Sequence, residues 1–503
     1  MENLFDPLFR DLEKVRSEYA PGVSSKEIGK VKAIYQGVVL VDGLPGTGNE
    51  ELLKFQGGLY GMAFNLDPDA IGVVLLGEIK NLQVGDKVER TGKVVDIPVG
   101  SALLGRVIDP LGFALDNKGL LEQSSRSPVE RPSPPITDRA PVSRPLQTGI
   151  KVIDAFIPVG RGQRELILGD RQTGKTAIAV NTILNQKDKE VICIYCAIGQ
   201  QAASVTKTLA VLDAHQAMDY TIVMISQGND PPGLIYLAPY AATSIGEYFM
   251  EMGKDVLIVY DDLTHHARAY REISLLLRRP PGREAFPGDI FYIHARLLER
   301  GTQLNNERGG GSLTALPIIE TEGQNLAAYI PTNLISITDG QIYLSPKLFE
   351  QGMLPAVEVE KSVSRVGDKA QRPAYRGLAS PLKLAYIQYK ELEVFMRFGT
   401  RMDDQTKKYI AHGQRIQEFL FQMEFDPVSL PEQIIILTAL SDGLLDKIPL
   451  EKLKQTEKIL RKAARLLPED LLDRMNSSET FSEKDRETLA ELADMWLKRF
   501  YIE

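Results

Sequence analysis

The stretch Glu165-Leu-Ile-Leu-Gly-Asp-Arg-Gln-Thr-Gly-Lys-Thr176 decides how the rest of the chain is read. An apolar run leads directly into Gly169–Thr176, which fits G-x-x-x-x-G-K-[ST] in full. The residues that follow, Ala177–Leu184, read as a helix. Strand, glycine-rich turn and helix together form a phosphate cradle. Gly169 and Gly174 let the backbone N–H groups across Asp170, Arg171, Gln172 and Thr173 converge on phosphate oxygens. Lys175 brings a point charge to the β- and γ-phosphates, and the Thr176 hydroxyl is placed to ligate Mg²⁺. A chance glycine-rich turn would lack one flank or the other. The expected ligand is ATP or ADP with Mg²⁺.

Working outward, the apolar segments Glu190–Ala197, Thr221–Ile225 and Asp255–Tyr260 alternate with helical patterns. That alternation predicts a central α/β region, from about 150 to 345, built on a parallel sheet covered on both faces. The last of these segments runs into Asp261-Asp262. Asp261 is the expected magnesium carboxylate, against the alternative of an ordinary polar strand end. Cys193 and Cys196, the chain's two cysteines, have C-x-x-C spacing. They fall within an apolar strand and lack a second pair, so a buried strand is favoured over a redox or zinc site. Ser336–Leu344 reads as a tight hairpin around Asp339-Gly340.

On the N-terminal side, residues 1–28 have apolar residues at helical spacing, and 29–92 alternate short apolar runs with glycines and polar turns. Val38-Val-Leu-Val41, Gly61-Met-Ala-Phe64 and Gly72-Val-Val-Leu-Leu76 give the rhythm of a small β-barrel. Residues 126–149 carry six prolines and read as an extended connection. Beyond Pro381 the chain is helical. The expected layout is a helical extension (1–28), a β-barrel (29–92), an α/β P-loop domain (93–372) and a C-terminal helical domain (373–503).

Among 503 residues, 43 % are hydrophobic and 25 % charged, with net charge −8. This is a globular composition. The acidic balance argues against nucleic acid as a partner. The sequence contains neither an 18-residue apolar run nor a basic-then-apolar leader, so membrane association is expected only through partners.

Two basic features stay open on spacing alone. Arg278-Arg-Pro-Pro-Gly-Arg283 is read first as a structural loop at a subunit contact, with contact to phosphate or nucleic acid as the alternative. Arg365, in Ser362-Val-Ser-Arg-Val-Gly367, is read as an interface residue or as a finger for a neighbouring subunit's nucleotide.

Across these and further stretches the sequence closely resembles the alpha subunits of F-type ATP synthases. The resemblance is carried by Ile157–Leu166 running into the phosphate loop, by Tyr260-Asp-Asp-Leu-Thr264 and by Ile273–Asp289. Gly311–Pro317, Pro331–Gln341 and Ser362–Gly367 add to it. It implies an N-terminal β-barrel, a central RecA-like domain and a C-terminal helical domain. It also implies an alternating hexamer of three alpha and three beta chains around a gamma stalk, with peripheral stalk subunits. Such a complex couples ATP synthesis or hydrolysis to proton or sodium transport. It sits peripherally on the cytoplasmic face of a bacterial or archaeal inner membrane.

The resemblance further implies a regulatory, non-catalytic nucleotide site on this chain. The position of the catalytic paralogue's water-activating glutamate is Gln200 here, and an amide cannot take up a proton. Arg365 matches the family's arginine that reaches the beta subunit's γ-phosphate, and Ser336 matches a residue lining that interface. Of the glutamines that flank adenine, one is kept as Gln422 and the other is Glu424. Where the family has an arginine, eleven residues before Arg365, this chain has Leu354. The competing reading is a self-sufficient hexameric motor, an export ATPase or Rho-like helicase. Such a motor requires a glutamate in place of Gln200.

Overall fold

The computed structural model describes residues 27–121, 125–396, 403–477 and 481–501. The helix expected over 1–28 lies essentially outside the described residues. The chain divides into two compact units, Met1–Lys93 and Val94–Glu503.

In the first unit six antiparallel strands close a barrel in the order β1-β2-β5-β4-β3-β6. They are β1 (Ile28–Tyr35), β2 (Val38–Asp42), β3 (Glu51–Phe55), β4 (Tyr60–Asp67), β5 (Ala70–Leu75) and β6 (Lys87–Val94). Alternation places Val39, Val41, Leu53, Phe55, Val73 and Leu75 in one apolar core. Closure removes free strand edges, which is how so small a sheet becomes stable.

The second unit is built on an eight-stranded sheet. Its strands are β7 (Val107–Ile108), β8 (Glu165–Gly169), β9 (Val191–Gln200), β10 (Thr221–Gln227), β11 (Asp255–Asp261), β12 (Ser312–Glu320), β13 (Gly340–Leu344) and β14 (Val363–Ser364). The order is β14-β13-β8-β12-β11-β9-β10-β7, parallel except at the β14 edge. Strands β8 and β12 are buried along nearly their whole length, as expected of a sheet covered on both faces. Cys193 and Cys196 are buried on β9, and burial raises both thiols far above their usual range. They are wall residues of the sheet.

Two readings change. The reading from residues assigned no strand to 312–320, yet β12 is central, between β8 and β11. It carries Pro317 opposite Tyr260, and a proline lacks the ladder donor, so pattern alone argues against a central strand there. The hairpin expected over Ser336–Leu344 is absent. Ser336 lies in the last turn of a helix, Tyr329–Ile337, and β13 pairs in parallel with β8. Arg164 decides this locally: its backbone N–H, Nε and Nη2 all donate to the Asp339 carboxylate. The turn is thereby fixed against β8 instead of folding β13 back on the preceding segment.

The helices that flank the sheet and position the site are α1 (Lys175–Leu184), α2 (Ala202–Ala214), α3 (Pro232–Glu251), α4 (Leu263–Leu276), α5 (Ile290–Leu298) and α6 (Tyr329–Ile337). A helical array follows: α7 (Ala379–Met396), α8 (Asp404–Leu420), α9 (Leu430–Ser441), α10 (Leu453–Ala464), α11 (Glu469–Asn476) and α12 (Glu483–Tyr501). Helix α9 is rich in apolar residues, is buried on all sides with Glu432 and Gln433 included, and lies inside the array. It starts with a capping box, Ser429 with Glu432. The array is joined to the sheet unit by buried polar bonds. Gln422 Nε2 donates to Gly149 O at 2.7 Å, and Lys151 Nζ donates to Glu457 Oε1 at 2.5 Å. Among the described residues no helix is long and apolar enough to cross a membrane.

Candidate nucleotide site

Strand β8 ends at Gly169 and α1 begins at Lys175, so the loop between them opens at the carboxyl edge of the sheet. That edge is where open α/β sheets take ligands. A Cβ on Gly169 would come within 2.7 Å of Leu344 O, and Gly174 has φ +93°, so both positions require glycine. Thr173 Oγ1 donates to Asp170 O at 2.8 Å and fixes the curl of the loop. The Asp170 carboxylate accepts from the Thr321 hydroxyl and from Gln324 N, anchoring the loop to the segment after β12. Arg171 Nε donates to Glu320 Oε2 at 3.0 Å.

Lys175 is 7 % exposed, and its Nζ donates to Asp170 O at 2.6 Å. Burial lowers its pKa, opposed by the charges of Glu320 and Asp262. A partly desolvated ammonium resting on its own loop is held ready for an anion.

Thr176 Oγ1 donates to Asp261 Oδ2 at 2.8 Å, and Tyr195 OH donates to the same oxygen at 2.8 Å. Asp261 is buried at the end of β11, and desolvation, followed by the neighbouring Asp262 charge, pushes its pKa up to about 6. Thr176 and Asp261 thus put two hard oxygen donors side by side. The carboxylate is short of positive charge, the chemistry that suits Mg²⁺ held by one protein carboxylate with water and phosphate oxygens.

Gln200 ends β9 and donates through Nε2 to Asp261 O and Oδ1, both at 3.2 Å. The fold therefore brings Gln200, Asp261 and Thr176 together, although they lie far apart in sequence.

Behind the loop an apolar groove is walled by Ala177, Ile178, Leu344, Leu354 and Pro355, with Gln422 and Glu424 at its far side. The Gln422 amide is already committed. Its Oε1 accepts from Lys151 N at 3.0 Å, and its Nε2 donates to Gly149 O and Asp426 O. Gln422 therefore lines the groove as part of its frame.

Arg365 and Ser336 lie elsewhere. Ser364 pairs with Gly340 and Gly340 with Glu165, which sets Arg365 beside the start of β8. The phosphate loop begins at the other end of that strand, on the order of 13 Å away at about 3.3 Å per residue. Arg365 is exposed, and among the described residues its guanidinium makes long bonds, 3.4 Å to Thr338 O and 3.5 Å to Ile335 O. Ser336, also exposed, sits in the same helical turn as Ile335.

One side chain near the phosphate loop was absent from the sequence reading. His265, on the first turn of α4, places Nδ1 2.9 Å from Asp262 Oδ1. Its signal in the sequence was proximity to Asp261-Asp262, which by itself does not say where a ring points.

Family models describe three stretches of this chain. Residues 25–92 match the beta-barrel domain of the ATP synthase alpha/beta family, 149–364 its nucleotide-binding domain, and 371–496 its C-terminal domain. The chain belongs to the ATP synthase alpha/beta family. Within it, the chain is of the alpha type. It is 63 % identical to ATP synthase subunit alpha 1 of Marinomonas sp. (strain MWYL1), over 99 % of this chain and 98 % of that protein. It is 61 % identical to subunit alpha 2 of Albidiferax ferrireducens, over 99 % and 94 %. Identity to subunit alpha 1 of Chlorobium luteolum is 63 %, over 95 % and 94 %. The β-barrel, nucleotide-binding and C-terminal organisation expected from the sequence is thus met in this family.

Proposed function

We propose that the chain is the regulatory alpha subunit of a rotary ATP synthase and that its own site binds Mg²⁺ with ATP or ADP without turning it over. The observation that carries the reading is Gln200. At the end of β9, beside the metal carboxylate, an amide donates to Asp261 where hydrolysis needs a group able to take a proton from water. In this reading Lys175 and the loop amides hold the phosphates, and Thr176 and Asp261 hold the metal. The apolar groove by Leu354 and Gln422 takes the base.

Arg365 and Ser336 serve a different nucleotide, held by a neighbouring beta subunit in an alternating hexamer around a gamma stalk, with peripheral stalk subunits attached. Arg365's exposure and its separation from Lys175 support action in trans. The complex is peripheral to the membrane, on its cytoplasmic face, and is joined to the membrane sector through other subunits. We retain domain limits at 28/29, 92/93 and 372/373.

The test is nucleotide binding and hydrolysis by the purified full chain. Tight Mg–ATP binding with negligible turnover is expected. Sustained turnover of several per second without a partner overturns the reading and favours a self-sufficient motor.

A further inference from the structure

We infer that His265, oriented by Asp262, contacts the terminal phosphate of the bound nucleotide and makes the site prefer a nucleoside triphosphate over a diphosphate. The inference rests on the reading of this site as a nucleotide site and adds a recognition residue to it.

The position of the ring carries the argument. Asp262 caps α4: its Oδ1 accepts from His265 N at 3.0 Å and lies 2.9 Å from His265 Nδ1. One carboxylate oxygen thus holds both the backbone and the ring, so the ring cannot swing freely. With Nδ1 on Asp262, Nε2 is on the far side of the ring. A Cβ built on Gly199 would lie 2.9 Å from His265 Cβ and 3.3 Å from Cδ2. The Cδ2 side of the ring therefore lies against Gly199, one residue before Gln200 at the end of β9. Gln200 in turn touches Asp261, which holds Thr176 of the phosphate loop.

The electrostatics agree with this placement. Glu320 acts on both His265 and Lys175, and Asp262 does likewise. Thr264 Oγ1 accepts from Glu320 N at 2.8 Å, which packs the start of α4 against the end of β12. The hydrogen bond that the ring donates to Asp262 raises the basicity of His265, favouring the cationic ring, and burial and Arg268 oppose it. The side chain is 30 % exposed, so one edge is open to a ligand. The groups around it are Asp262 and Arg268 on its own helix and Glu320 from β12. Lys175 and the loop amides already serve the β- and γ-phosphates from within the loop. A cationic donor beyond them, at Gln200, meets an oxygen that ATP has and ADP lacks.

The test compares Mg–ATP and Mg–ADP binding to the full-length chain and to two variants. His265→Asn keeps a donor near the position of Nδ1, and so the bond to Asp262, but removes Nε2. His265→Lys keeps a distal cation. A hydrogen bond to a charged oxygen is worth roughly a 10- to 100-fold change in affinity. His265→Asn is expected to lose about that much for ATP, with ADP affinity held within about twofold, and His265→Lys is expected to keep most of the preference for ATP. Equal losses for both nucleotides make His265 a structural residue of the α4 cap and overturn the inference. An unchanged preference in His265→Asn also overturns it while leaving the nucleotide reading intact. A wild-type chain that binds neither nucleotide overturns both.

Discussion

Gln200 Nε2 lies 3.2 Å from Asp261 Oδ1, an amide donor placed against a carboxylate whose pKa burial has pushed up to about 6. The pair defines the electrostatics of the phosphate end. Gln200→Glu replaces that donor with a second acidic group, and two carboxylates so close cannot both ionise cheaply. One of them then has a folded-state pKa above its unfolded value of about 4.3. The cost is absent below the unfolded pKa and grows as pH rises through the folded one. At pH 8 Gln200→Glu should be about 1–3 kcal/mol less stable than wild type, read as a lower melting temperature, and the gap should narrow at pH 5.5. A gap independent of pH counts against this account.

Lys175 pairs with a backbone carbonyl, Asp170 O, and is mostly desolvated. Its removal therefore leaves no buried carboxylate bereft of its only partner. Lys175→Ala should weaken Mg–ATP binding to the full chain by about tenfold or more, the scale of a charge-assisted bond. The unliganded melting temperature should stay level or rise. Calorimetric titration and thermal melts check this. A clear drop in unliganded stability would give Lys175 a structural role.

Arg365 is exposed and held by two long bonds, so the chain's own stability should barely depend on it, within about 0.5 kcal/mol. In a reconstituted alpha–beta complex, Arg365→Ala should cut hydrolysis by about 10³-fold, as expected of a finger on the transferring phosphoryl group. Nucleotide affinity at the catalytic sites should change little, because the stabilisation belongs to the transition state. Arg365→Lys keeps the charge but loses the planar fork, so its loss should be nearly as large. If Arg365→Ala keeps more than about a tenth of the rate, the trans role is wrong.

His266 and His294 are both fully buried, with ring nitrogens 3.3 Å apart, and His266 stacks on Tyr236, which in turn stacks on Tyr270. Desolvation holds His266 well below its ordinary value and pushes His294 down to about 4. Both are neutral when folded and take a proton near pH 6.5 when unfolded. The unfolded state therefore binds more protons, and stability falls as pH drops below about 6.5, by up to about 1.4 kcal/mol per pH unit for each histidine. For His294 the loss levels off near pH 4. Urea unfolding of His294→Gln between pH 6.5 and 5 should show a shallower slope than wild type. An identical slope would exclude His294 as a source of acid lability.

The phosphate loop, the Asp261 carboxylate and the barrel were legible because each depends on local pattern. A glycine-rich turn between strand and helix, a carboxylate ending an apolar run and short alternating strands are all written within a dozen residues. The sequence by itself therefore determined that a phosphate-loop motif stands at Gly169–Thr176 and that barrel, nucleotide-binding and C-terminal domains follow one another along the chain. Only the tertiary structure decided what those residues face. It inserted Pro317 into a central strand, because flanking strands supply burial that outweighs one missing donor. It turned Asp339-Gly340 away from a hairpin, because Arg164 captures the Asp339 carboxylate from another strand. It placed Arg365 at the far end of β8 from Lys175 and drew Gln200 and Asp261 to one point. These are contacts between residues tens to hundreds of positions apart. They are fixed by parallel strand register and packing, which the order of residues along a single segment does not contain.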